Sequence, residues 1–128
     1  ACPMDGGGCA FGKDLVTVWR REDMILATTA DAPGGENGER TLGTGKDPAV
    51  AAMASGAALA VWVEKDAIQM LRLDRKEALP TRVADPAAGV KQGLPAIVAL
   101  ADGFLVAWEE RAPGGKPAIK ARWIPASP

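Results

Sequence analysis

Residues 93–110 read GLPAIVALADGFLVAWEE, and residues 46–64 read KDPAVAAMASGAALAVWVE. Both run from a proline through a short apolar stretch, a glycine, a second apolar stretch and a tryptophan to an acid. A looser copy opens the chain at CPMDGGGCAFGKDLVTVWRRED, residues 2–23. Anchored on Trp19, Trp62 and Trp108, the copies are spaced by 43 and 46 residues. A glycine (Gly12, Gly56, Gly103) precedes each tryptophan by five to seven residues, and a proline (Pro3, Pro48, Pro95) by 13 to 16. Three landmarks in one order, three times, mark an internal structural repeat of about 45 residues. The units are placed at residues 1–45, 46–92 and 93–128.

Each unit reads as strands. PAVAAM and PAIVAL are short apolar runs bounded by proline and a glycine-containing turn, and AALAVWVE and FLVAWEE are second strands. AIQMLRLD, AIKARWI and MILATTA fill the third position, and RTLGTG and PTRVAD the fourth. The turn chemistry fits, with DAPGGENGE, DPAAGVKQG and APGGKP between runs, and 15 Gly and 10 Pro in 128 residues. Helix is the competing reading of PAVAAMASGAALAVWV, because alanine favours helices. Gly56 in mid-run and the β-branched and aromatic content of the second copy argue for strand.

The second strands are apolar on both faces. Ala60 and Trp62 face one way, and Leu59, Val61 and Val63 the other. A strand exposed on one side alternates apolar with polar residues, so two apolar faces call for a sheet on each side. Stacked four-stranded sheets with one tryptophan per unit describe blades of a β-propeller. The expected fold is therefore all-β, a partial propeller of about three antiparallel blades, with a β-sandwich as the alternative. Trp19, Trp62 and Trp108 are expected to pack between blades. Trp123 breaks the pattern and is expected at an interface.

The units resemble those of the sialidase-like propellers. The likeness is carried by DPAVAAMASGAALAVWVEKDAIQMLRL and LPAIVALADGFLVAWEERAPGGKPAIKARWI and covers nearly the whole chain. Members often carry an Asp-box turn, Ser-x-Asp-x-Gly-x-x-Trp, which is absent here. Sialidases proper use a tyrosine nucleophile and three arginines on the substrate carboxylate. This chain has no Tyr, so the resemblance implies the fold and places that activity outside this polypeptide alone. Three units do not close a ring, since propellers run from about four to eight blades. The third also ends at AIKARWIPASP, before a fourth strand. The expectation is half a ring, completed by a second copy, a partner subunit or an N-terminal half.

Composition narrows the chemistry. The chain has no His and no Tyr, which removes the commonest general base, the commonest metal ligand and the phenolic nucleophile. Lys and Arg number 15 against 16 Asp and Glu, for a net charge of −1, so no basic excess is present for nucleic acid. No apolar run reaches the roughly 20 residues of a membrane-spanning helix. GTGKD (43–47) falls short of a phosphate loop, with Arg40 where the first glycine belongs and Asp47 where the hydroxyl belongs, and reads as a turn. The acids after the tryptophans (Glu22, Asp23, Glu64, Asp66, Glu109, Glu110) could ring one rim for Ca²⁺ or a cationic partner, but lie among Arg21, Lys65 and Arg111 and read as solvated turns. Arg20, Arg21, Arg72, Arg82 and Arg122 could line a pore for anions; the related positions of Arg72 and Arg122 favour a repeated structural role.

Cys2 and Cys9 flank six residues, three of them glycine, and the spacing predicts a short disulfide loop, with a free, buried pair as the alternative. Such a bond implies an oxidising compartment: periplasm, cell surface or the exterior. Two thiolates without a further Cys or any His make a poor zinc site. The chain opens at Ala1, which reads as processing or as part of something longer. The favoured reading is a non-catalytic, extracytoplasmic propeller segment for binding or assembly, with no cofactor and with a protein partner or a second copy. A glycan ligand remains an option. The alternatives are the C-terminal part of a sialidase-like glycan-active enzyme and an accessory subunit of a larger complex.

Overall fold

The computed structural model describes residues 7–29 and 39–127. Among them are eleven strands and no helix. The strands are β1 (Gly7–Phe11), β2 (Leu15–Arg21), β3 (Met24–Thr28), β4 (Arg40–Thr44), β5 (Lys46–Ala52), β6 (Ala58–Glu64), β7 (Ala67–Arg72), β8 (Thr81–Arg82), β9 (Lys91–Leu100), β10 (Gly103–Arg111) and β11 (Ala118–Pro125). They form three open antiparallel sheets, each a meander in chain order: β1-β2-β3-β4, β5-β6-β7-β8 and β9-β10-β11. The protein is all-β, as the alternation and turn chemistry require. No helix among the described residues is long and apolar enough to cross a membrane.

The repeat landmarks acquire physical roles. Gly12 and Gly56 lie in the first turn of their sheets, and Gly103 opens β10 directly after its turn. A Cβ on Gly12 would stand 2.3 Å from the Met53 carbonyl oxygen, and one on Gly103 2.4 Å from that of Ile124. Gly56 sits at a φ of +103° that L-residues rarely adopt. Proline and tryptophan turn out to be partners. The β5–β6 register steps from Lys46↔Val63 to Ala49↔Val61, so Asp47-Pro48 together oppose Trp62. The β9–β10 register steps from Ala107↔Ala96 to Glu109↔Gly93, so Leu94-Pro95 oppose Trp108. Each is a β-bulge, a place where a proline lacking N–H can enter a strand. The residue before each proline is left-handed, with φ +54° at Asp47 and +51° at Leu94.

The sheets stack face to face in chain order. Between the first and second lies a core of Val16, Val18, Ile25, Leu42, Ala60 and Trp62. Between the second and third lies another, built on Leu59, Val61, Ile68, Phe104, Val106 and Trp108. β6 is therefore buried on both faces, alternately supplying Ala58, Ala60 and Trp62 to one core and Leu59, Val61 and Val63 to the other. Each such large aliphatic or aromatic side chain, fully buried, contributes on the order of 1.5–3 kcal/mol. The first strands of the sheets lie side by side, β1 against β5 and β5 against β9.

Arginines tie neighbouring sheets at their edges. Arg40 of β4 donates to the carbonyls of Leu73, Arg75, Lys76 and Ala78 beyond β7. Arg72 of β7 donates to the Ala126 carbonyl, and Arg122 of β11 to the Val83 carbonyl.

Candidate functional site

The outer faces of the stack are the surfaces with a distinctive chemistry. In β2 the side chains of Val16 and Val18 enter the core against the second sheet. Leu15, Thr17 and Trp19 alternate with them and point the other way. The cross-strand register adds Phe11 beside Leu15 and Met24 beside Arg21. Phe11 is 76% exposed and Leu15 55%. The Thr17 and Thr28 hydroxyls bond across this face at 2.5 Å.

The third sheet repeats the situation at the other end. Phe104, Val106 and Trp108 face inward, so Leu105 and Ala107 face outward. The register places Val98 and Trp123 on either side of Leu105, and Ile119 opposite Glu109. Ile119 is 73% exposed and Trp123 43%. Both ends of the stack thus present apolar sheet faces, whereas sheet faces that end in water are ordinarily polar.

The four tryptophans separate into two kinds. Trp62 and Trp108 lie between sheets, 0% and 4% exposed. Trp19 is half-buried on the outer face of the first sheet and belongs to neither core. Trp123 is exposed on the outer face of the third. The direction is regular: Trp62 faces the first sheet, Trp108 faces the second, and Trp19 faces away from the second sheet, toward the position a preceding sheet would hold.

The polar groups are engaged in structure. Gln92, the buried polar residue, accepts from the Ile68 amide at 2.9 Å and donates to the Ala84 carbonyl and to Glu110 Oε1. Glu110 Oε1 also accepts from the Trp108 indole at 3.2 Å. Glu64 holds the matching place two residues after Trp62, yet the Trp62 indole N–H is buried without a partner. Arg72 makes two hydrogen bonds to Asp74, which also accepts from the Ala58 amide. Burial pushes the Asp74 carboxyl up, but the Arg72 and Ala58 hydrogen bonds and the Arg72 charge outweigh it and hold the group below its ordinary value. Arg21 and Glu39 form an exposed bidentate pair that lowers the Glu39 carboxyl. Arg82 pairs with Asp85, and Arg20 donates to the Glu22 carbonyl. All five arginines lie within strands, Arg20 and Arg21 at the end of β2, Arg72 at the end of β7, Arg82 in β8 and Arg122 in β11, and each is engaged in a structural contact.

A polar pocket of about 370 Å³ lies where the β1–β2 and β5–β6 turns meet the end of β7, with Lys13, Asp14, Ser55, Arg72 and Asp74 in its wall. Two of its four charged side chains, Arg72 and Asp74, pair with each other, and no thiol, imidazole or phenol lines it. Among the described residues no group of three or more Cys, Asp or Glu side chains is placed to hold a metal ion. Cys9 is a free, exposed cysteine on β1. Its expected partner Cys2 lies outside the described residues, as does Pro3.

Sequence reasoning placed most of the strands, though not β1, and the two-faced β6; Trp123, expected at an interface, is 43% exposed. It missed that Trp19 faces outward, although "LVTVW" carried the signal: Thr17 between two valines marks the face that differs from LAVW and FLVAW. Compared with known proteins, the chain matches no family model, no curated protein and no solved structure.

Proposed function

We propose that the chain is a non-catalytic assembly segment, a run of three propeller-like blades whose two end faces bind protein. The observation that carries this reading is the pair of apolar outer faces, Phe11, Leu15 and Trp19 at one end and Val98, Leu105 and Trp123 at the other. Left in water, each is an association or aggregation liability. The propeller-like reading draws support from the meander order of each sheet and the side-by-side first strands, the arrangement of blades around a common axis. It agrees with the resemblance to sialidase-like units without requiring their chemistry. The extracytoplasmic setting is carried by the Cys2–Cys9 spacing alone, since Cys9 stands unbonded in this structure.

The test is the mass of the native particle isolated from its source, compared with 13.2 kDa for this chain. The expected result is a larger particle that dissociates when Leu15 and Leu105 are replaced by lysine. A particle of 13.2 kDa with both faces open would contradict the reading.

A further inference from the structure

The two internal interfaces follow one rule, and the rule has an unfilled third instance. Each tryptophan, with the residues two and four before it, packs on the preceding sheet; the residues one and three before it pack on the following sheet. Trp62, Ala60 and Ala58 thus meet Val18 and Val16, and Trp108, Val106 and Phe104 meet Val61 and Leu59. Continued by one step, Trp19, Thr17 and Leu15 would meet Ala107 and Leu105. Those two sets lie at opposite ends of the same chain, both on exposed faces.

Resting on the assembly reading above, we propose that the occupant of both end faces is a second copy of this chain, docked head to tail. The first sheet of each copy packs on the third sheet of the other, so that two copies close a ring of six sheets. Each junction joins unlike patches, and the two junctions, related by a two-fold axis, close the ring because two copies satisfy both ends at once. Size favours closure as well. Three to four strands about 4.8 Å apart, with about seven residues at about 3.3 Å each, span roughly 300–400 Å² of face. One such face is small beside the roughly 800 Å² per partner of a standard interface, and two per copy come closer to it. An open chain with one interface at each junction leaves the terminal faces bare. Six sheets also fall within the range of about four to eight in which propellers close.

The test uses the purified full chain alone, measured by size-exclusion chromatography with light scattering. The wild type is expected at twice 13.2 kDa. Leu15→Lys breaks the first-sheet face and Leu105→Lys the third-sheet face, and each variant alone is expected to be monomeric. Mixed in equal amounts, they retain one intact pairing and are expected to associate more than tenfold more tightly than either variant with itself. The more exposed Phe11→Lys and Ile119→Lys give a second pair should the first lower folding, which circular dichroism reads. A folded monomeric wild type would overturn the second-copy proposal while leaving the assembly reading to the native particle's mass. A variant that still dimerises by itself would also overturn it, because the pairing would then join like faces.

Discussion

At the scale of single residues, stability rests on a few polar atoms that the two cores force to find partners. Gln92 is the clearest, since one side chain satisfies the Ile68 amide, the Ala84 carbonyl and the carboxylate that also holds the Trp108 indole. Replacing it with Leu strips a buried N–H of its acceptor, which costs about 1–3 kcal/mol. Gln92→Leu should therefore lower the urea midpoint without changing its slope. An unchanged midpoint would mean that water serves those groups equally well. Asp74 makes a pH prediction. Its carboxyl is held below its ordinary value in the folded state, so it contributes stability at neutral pH, and that contribution is lost as the pH falls below about 4 toward the folded-state value. Asp74→Asn should be less stable than the wild type at pH 7, and the gap should narrow in acid when both are followed by thermal melting. A gap that stays constant to pH 2 would contradict the linkage.

At the scale of elements, the repeat is a bulge with a tryptophan across from it. Pro48 and Pro95 enter first strands, which are sheet edges, at points where two residues oppose one, and the second strand answers with Trp62 and Trp108. The residue before each proline is in the left-handed region, a strained state for leucine and one disfavoured before proline. Leu94 is 65% exposed and gives up little packing if changed. Leu94→Asn should raise stability by about 1 kcal/mol, because asparagine tolerates that conformation. A fall in the melting temperature would show that the leucine side chain is engaged elsewhere. Much of the element level was legible beforehand. Apolar runs, glycine turns and the inward and outward alternation of ALAVWV are local patterns. The bulges were not, because proline and tryptophan are 13 or 14 residues apart and their pairing depends on register. The orphaned Trp62 indole was hidden for the same kind of reason: Glu64 and Glu110 stand at equivalent positions in sequence, and only packing decides which one reaches its indole.

At the scale of the molecule, the account turns on what covers the two ends. The internal interfaces bury nearly all of β6, and the outer faces carry exposed apolar side chains of their own, Phe11, Leu15, Ile119 and Trp123 among them. The sequence spoke to this through its repeat, three units where a closed ring takes about four to eight. The direction of Trp19 was the missing information, since it leaves a tryptophan on the face of the first sheet that points away from the second. The most direct measurement is oxidative footprinting of the native protein, read tryptophan by tryptophan. If the end faces are assembly surfaces, Trp19 and Trp123 will be modified nearly as slowly as Trp62, and both will speed up when Leu15→Lys and Leu105→Lys open the faces. If Trp123 reacts in the native particle at the rate of a side chain that is 43% exposed, the faces are bare and the assembly account is wrong.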